Sequence, residues 1–173
     1  MKYLLTAVLA MAFTNVMHAQ QPTTIVSSAG NFSVSLPPGE RKDENANVTD
    51  KDGEHAVFHS FGSIQYNKSF IVTYKDYSSL LDIADSFDSE LKEAATKGVV
   101  TNIAGSTRQG RAVLTYTLTK KFEETQLVES KLSMIVGRRS YLLVAVGPIY
   151  DAPTSKEIAD FFDSFKLLRE EAH

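Results

Sequence analysis

The sequence predicts an α+β fold in which a mainly antiparallel β-sheet is covered by two main helices. Most of the chain consists of short segments whose apolar side chains alternate with polar ones, which is typical of strands. Two longer segments instead carry apolar residues at helical spacing. The strand segments follow one another through short connections, and parallel strands would need crossovers of about a dozen residues. We therefore expect an antiparallel sheet accompanied by two helices.

The first residues have the layout of a secretory signal peptide. Lys2 precedes an apolar run from Tyr3 to Phe13, and a short polar stretch then ends at Ala19. The apolar run is about half of the ~20 residues that a membrane-spanning helix needs. We expect 1–19 to be a signal peptide and 20–173 a single domain in the periplasm or outside the cell. The alternative is an amphipathic N-terminal helix that is retained.

Composition excludes several classes of protein. The chain has no cysteine, so disulfides, thiolate metal sites and a cysteine nucleophile are excluded. Removing Lys2 from the 18 basic residues leaves 17 against 21 acidic residues, a net charge of −4. This charge does not favour nucleic acid or an anionic membrane surface as a partner. No later apolar stretch is long enough for stable membrane insertion once the signal peptide is cleaved.

Eight segments have the alternation expected of strands. Gly30 and Asn31 lie between the first two and suit a hairpin turn. The eight segments are TTIVSS, FSVSL, HAVFHSFG, SFIVTYKDY, VVTNIAG, RAVLTYTLTKKF, QLVESKLSMIVG and SYLLVAVG.

Helical spacing occurs in Ser79–Lys97 and in Thr154–Leu168. The first predicted helix has a capping signal in Ser79 and Asp82 and a stop at Gly98. Thr154 and Glu157 form a capping pair at the start of the second. The apolar residues of the second helix form one stripe, which predicts a helix packed on a sheet rather than an exposed aromatic docking ridge. That stripe consists of Ile158, Phe161, Phe162, Phe165 and Leu168.

Four segments resemble the PsbP-like fold family, and in particular its small exported bacterial members. They are FSVSLPPG, FIVTYKDY, RRSYLLVAVGP and FFDSFKLL, and the resemblance extends from about Thr24 to Leu168. It implies an α/β/α sandwich around an antiparallel sheet. It also implies a role in binding or assembly, as in the extrinsic photosystem subunit, a Ran-binding protein and mycobacterial envelope lipoproteins. These motifs are apolar positions and turns, and none of them carries chemistry.

The segment Glu40–Glu54 is strongly polar, with six acids and three bases, and we predict a long exposed loop there. Within it, DENANVTDKDGE resembles an EF-hand calcium loop, although Val48 stands where that loop needs glycine. A solvated loop is therefore the favoured interpretation, and a weak calcium site the alternative. The residues at ligand positions 1, 3, 5 and 12 are Asp43, Asn45, Asn47 and Glu54.

Charged loop tips are the candidate partner-binding sites, because recognition residues concentrate on loops held by a rigid scaffold. One tip is the predicted hairpin turn at Arg138 and Arg139, and the other is the acidic loop with Asp43, Glu44, Asp50 and Asp52.

Two histidines, His55 and His59, share a predicted strand. Four residues apart on a strand, they lie ~13 Å from one another, which is too far for a shared zinc ion. We interpret both as partly packed surface side chains.

Sequence motifs for catalysis are missing. The chain lacks the G-x-S-x-G, H-E-x-x-H and phosphate-loop patterns, and it indicates no cofactor. Carboxylates close together on a helix, such as Asp82 and Asp85, are typical of a solvated face.

We therefore expect an exported, non-catalytic binding or assembly module whose partner is an unknown envelope protein or small ligand. One alternative is a carrier of a small apolar ligand held between sheet and helix. The other is a hydrolase whose carboxylate pair is assembled by folding. Convergent acids in a pocket would favour the hydrolase, and an apolar cleft would favour binding.

Overall fold

The computed structural model describes residues 21–49 and 55–168, with the backbone alone for 46–49, 55 and 56. A small sheet has the order β1-β2-β10, and a large sheet has the order β3-β4-β5-β9-β8-β7-β6. All the strand pairs in both sheets are antiparallel. The strands are β1 (Thr23–Ser27), β2 (Phe32–Leu36), β3 (Glu40–Thr49), β4 (His55–Gln65), β5 (Lys68–Asp76), β6 (Val99–Arg108), β7 (Arg111–Phe122), β8 (Thr125–Val136), β9 (Arg139–Pro148) and β10 (Lys166–Leu167).

Two α-helices accompany the sheets, α1 (Ile83–Lys97) and α2 (Ser155–Ser164). A 3-10 turn at Ile149–Asp151 precedes α2. The predicted mainly antiparallel sheet with two main helices is thus confirmed. Neither described helix has the length and continuous apolar character that crossing a bilayer requires.

The main core lies between the small sheet, α2 and one face of the large sheet. Phe32 of β2 is fully buried at its centre. Its ring centroid lies 5.5–6.0 Å from those of four other aromatic side chains, which come from β4, β5, β9 and the residue after α2. These four are Phe61, Tyr74, Tyr141 and Phe165. The small sheet and α2 therefore cover this first face together.

A second core lies under α1, on the opposite face of the large sheet. Val113 of β7 belongs to the main core, whereas Leu114, Tyr116 and Leu118 pack against α1. Because neighbouring residues of a strand point to opposite faces, α1 and α2 lie on opposite sides of the sheet. α1 packs on β6 and β7 at one end of the sheet.

The first helix is shorter than the predicted Ser79–Lys97. Asp82 is its N-cap, since the Asp82 carboxylate accepts a 2.9 Å hydrogen bond from the backbone N–H of Asp85. Leu80 lies outside the helix and is exposed. The predicted stop is confirmed, because Gly98 is the C-cap and its N–H donates to the Ala94 carbonyl.

The second helix is also shorter than the predicted Thr154–Leu168, although its capping box at Thr154 and Glu157 is confirmed. It ends at Phe165, whose extended backbone leads into β10, where Lys166 and Leu167 pair with β2. Leu168 is exposed, so its placement in the packed stripe was wrong.

The packing interpretation of this helix is otherwise confirmed. Phe161, Phe162 and Phe165 are buried in the main core, and Ile158 packs against it. They do not form an exposed docking ridge.

The predicted long loop at Glu40–Glu54 is wrong over its first two thirds. Glu40–Thr49 is strand β3, paired with β4 along its whole length at the edge of the large sheet. Its described side chains are exposed, which explains the polar composition, and charged residues on an edge strand oppose pairing with other chains. Residues 50–54 lie outside the described part of the chain.

Candidate functional site

The three proposed calcium ligands whose backbone is described do not form an EF-hand loop. Asp43, Asn45 and Asn47 belong to the extended strand β3, whereas that loop is a tight turn between two helices. Asp43 pairs with Arg41 at 3.0 Å, and Asn45 Oδ1 lies 2.7 Å from His59 Nδ1. Among the described residues, no group of three or more acidic or histidine side chains could hold a metal ion. The Asn47 side chain and Glu54 lie outside the described residues.

The predicted packing of His59 is confirmed. Its ring stacks on the Tyr74 ring at 4.6 Å, with an interplanar angle of 13°. The side chain of His55 is not among those described.

The two candidate arginines differ in their surroundings. Arg139 does not lie at the hairpin tip but begins β9 opposite Asp76, and it holds that carboxylate through bonds of 2.5 and 2.8 Å. Its guanidinium also lies 4.9 Å from the centre of the Tyr74 ring. Arg138 is exposed in the turn and donates to the Ser78 carbonyl at 3.4 Å. Arg139 therefore stabilises the sheet and is not available as a loop contact.

The acidic partner candidates are only partly described. Asp43 and Glu44 are exposed on the edge strand β3 rather than on a loop. Asp50 and Asp52 lie outside the described residues.

A groove of about 530 Å³ lies between α1 and the second face of the large sheet. The floor of the groove consists of residues that are paired across neighbouring strands, because paired residues share a face of the sheet. One row runs across β8, β9 and β5, and the next row continues to β4. The rows are Ser133, Leu142 and Thr73, and then Ile135, Ser140, Lys75 and Phe58. The floor is thus mainly apolar and hydroxyl-bearing, with one lysine.

One wall of the groove is a single stripe of α1. Successive members of this stripe are alternately three residues and one residue apart in the sequence, so all six lie on the same side of the helix. They are Asp82, Asp85, Ser86, Ser89, Glu90 and Glu93. The neighbouring stripe of Phe87, Leu91 and Ala94 packs against β7. The apolar stripe therefore fixes α1 on the sheet and turns the polar stripe towards the groove.

Hydrogen bonds fix this wall to the sheet beneath it. The Tyr116 hydroxyl donates a 2.9 Å bond to Glu90 Oε1. Burial raises the pKa of the Tyr116 hydroxyl, and the negative charge of Glu90 raises it further. The hydroxyl therefore stays protonated and remains a donor. The Lys131 ammonium lies 5.7 Å from the centre of the Tyr116 ring.

A buried carboxylate continues this network under α1. Glu129 is only 7% exposed and is bound by Lys120 at 2.5 Å and by Lys131 at 3.0 Å. Burial raises the pKa of Glu129, but the hydrogen bonds from the two lysines outweigh burial and hold it below its usual value. The carboxylate therefore stays charged and holds β7 and β8 together.

The groove charges are uneven. Four carboxylates line it, and Lys75 is the one basic side chain among the described residues that line it. Lys75 Nζ lies 4.3 Å from the centre of the Tyr77 ring. Asp82 and Asp85 are both exposed, so the predicted solvated face is confirmed, and the same two carboxylates also line the groove. The signal was present in the sequence, because the four groove acids and two serines recur at helical spacing, whereas Asp88 and Lys92 fall outside that stripe.

Comparison with known proteins identifies no family. No protein-family model and no curated protein matches the sequence. The structure is similar to a crystal structure from Bacteroides thetaiotaomicron, with a TM-score of 0.56 and 13% identity, covering 88% of this chain and 50% of that chain. This chain thus spans half the length of that protein. The PA94 protein of unknown function from Pseudomonas aeruginosa has a TM-score of 0.45 and 10% identity, covering 76% of this chain and 85% of that chain. The first similarity shows a shared α+β fold alone.

Proposed function

We propose that this protein is an exported, non-catalytic binding module that takes a small ligand with an apolar body into the groove between α1 and the sheet. The observation that carries the proposal is the combination of an open groove, a floor with three apolar side chains and a few convergent polar groups. Ligand sites in proteins have this composition. A volume of about 530 Å³ is within the range of small-molecule sites.

Export and fold family belong to the same proposal. The N-terminal layout of charge, apolar run and polar stretch supports secretion. The order of hairpin, strands, helix, strand meander and terminal helix supports a PsbP-like α/β/α arrangement.

Binding explains the groove better than hydrolysis by a carboxylate pair. A glycosidase-type pair needs two acids facing one another across the substrate. The groove acids instead all come from one stripe of α1. Asp82 also caps the helix, and Glu93 pairs with Lys97 at 2.5 Å.

The test is titration of the protein with N-phenyl-1-naphthylamine, a neutral apolar dye that fluoresces when it leaves water. We expect saturable fluorescence from the native protein. Leu142→Arg should weaken binding at least about tenfold, because it places a charge on the apolar floor. Ile103→Arg is the matched control, since Ile103 is an exposed residue of β6 that does not line the groove.

Far-ultraviolet circular dichroism and melting temperature establish that both variants fold. Leu142 is only partly buried, so the substitution leaves the main core intact. Absence of saturable binding to the native protein, or equal binding by Leu142→Arg, would overturn the proposed site.

A further inference from the structure

We infer that the ligand of this groove carries a positive charge on its apolar body, as an alkylammonium ion does. The inference rests on the proposed function and adds the chemical class of the ligand. It comes from the asymmetry of the groove, in which one wall is acidic and the floor carries three apolar side chains beside three hydroxyl groups and one lysine.

The acidic wall is only partly compensated by basic side chains of the protein, because Glu93 pairs with Lys97 and the charge of Lys92 acts on Asp85 without forming an ion pair. Among the described residues, Asp82, Asp85 and Glu90 have no basic side chain within ion-pairing distance. Glu90 receives a neutral hydroxyl from Tyr116, and Asp82 receives a backbone N–H. These hydrogen bonds orient the two carboxylates without cancelling their charge.

The outer side of the same helix behaves differently. Asp88 pairs with Lys92 at 2.5 Å, four residues further along α1. Both side chains lie outside the groove lining. Asp88 thus has a lysine partner on the outer side, whereas three of the four groove acids have no ion-pair partner among the described residues. The groove therefore has the sign of field that attracts a cation.

The floor determines the rest of the ligand. Phe58, Ile135 and Leu142 offer apolar contact below the acidic stripe. Attraction between unlike charges is stronger beside such a low-dielectric surface than in open water. A cation with an apolar tail can contact both surfaces at once, with its charge on α1 and its tail on the sheet. An anion would face four carboxylates and only Lys75.

The test compares three ligands with the same alkyl chain, namely octyltrimethylammonium, octyl sulfate and 1-octanol. Each displaces N-phenyl-1-naphthylamine from the native protein at low ionic strength. We expect the cation to bind at least about tenfold more tightly than the sulfate, with octanol between them. Added sodium chloride should weaken binding of the cation and leave binding of octanol unchanged, because salt screens only the interaction between charges.

Two variants then test whether the acidic wall of α1 causes the preference for the cation. The double variant Asp85→Asn/Glu90→Gln keeps side-chain size and the acceptor for Tyr116, and it should lower cation affinity about tenfold while octanol binds as before. Asp88→Asn on the outer side of α1 is the matched control and should leave all three affinities unchanged.

The outcomes separate this inference from the proposed function. If octanol binds but the cation binds no more tightly than the sulfate, the inference is overturned and the proposed binding groove is retained. If the double variant weakens the binding of octanol and of the cation equally, the carboxylates do not select for charge, and the inference is again overturned. If neither the dye nor any alkyl ligand binds, both proposals fall.

Discussion

The hydroxyl of Tyr116 donates a 2.9 Å hydrogen bond to Oε1 of Glu90, which ties the middle of β7 to the groove-facing stripe of α1. The tyrosine is buried under the helix and the glutamate is only partly exposed. This contact fixes the position of the acidic wall relative to the floor of the groove. The shape of the groove therefore depends on a bond between its wall and a strand.

Tyr116→Phe should lower the free energy of unfolding by about 1 kcal/mol, because a partly buried hydrogen bond to a charged group is lost. Amide hydrogen exchange in α1 should accelerate more than exchange in β8 and β9. Urea unfolding measures the first effect, and Tyr150→Phe is the control, since Tyr150 is 75% exposed. Equal loss of stability in both variants would contradict a specific role for the bond.

Glu129→Gln should lower the free energy of unfolding by about 2 kcal/mol, because Lys120 and Lys131 lose the carboxylate between them. The effect stays below that of a fully buried pair, since Lys120 remains partly exposed. Chemical denaturation at neutral pH measures it. Glu124→Gln, at an exposed position in the β7–β8 turn, is the matched control and should change stability little.

The same carboxylate gives a pH dependence of defined sign. The pKa of Glu129 lies below its ordinary value of 4.5 in the folded protein, so its stabilisation is fully present above pH 4.5. It is lost as the pH falls through the folded-state pKa. The difference in stability between the native protein and Glu129→Gln should therefore shrink in acid. A difference that grows below pH 4.5 would mean that burial dominates and that the direction of the shift is wrong.

Arg108→Met should loosen the C-terminal end of α2. Arg108 donates to the Phe162 carbonyl and, at 2.8 Å, to Asp163. We expect a loss of about 1 kcal/mol in the free energy of unfolding and faster amide exchange in β10. Arg138→Met is the control, because Arg138 is exposed and its guanidinium makes one long hydrogen bond to the described residues, 3.4 Å to the Ser78 carbonyl. Unchanged exchange in β10 would show that the β6–β7 turn does not hold the helix end.

Phe32→Ala should lower the free energy of unfolding by about 4 kcal/mol, since it leaves a cavity among four aromatic rings. Phe122→Ala removes the same side chain at a position that is 59% exposed and should cost less than about 0.5 kcal/mol. Denaturant midpoints measured side by side test the contrast. Similar losses for the two variants would place the centre of the core elsewhere.

Much of the secondary structure follows from local sequence signals. Two-residue alternation locates the strands, and the capping box of Thr154 and Glu157 locates the start of α2. These signals are local because they depend on side chains within one turn or one strand. The burial of Phe161, Phe162 and Phe165 could likewise be predicted from helical spacing alone.

Errors arose where a distant partner decides the local state. Glu40–Thr49 has the composition of a loop, yet hydrogen bonds to β4 make it a strand. Helix α2 stops before Leu168 because Lys166 and Leu167 pair with β2, far away in the sequence. Neither partner is visible in the local pattern.

The sequence by itself determined eight of the ten described strands, the stop of α1 at Gly98, the capping box of α2 and the absence of cysteine chemistry. Only the tertiary structure decided the candidate site, because the groove exists where α1 lies beside rows of residues aligned by strand register. The tertiary structure also pairs Arg139 with Asp76 and places Asp82 and Asp85 in the lining of the same groove. The physical reason is that side-chain periodicity is set within an element, whereas a groove is set by long-range pairing between elements.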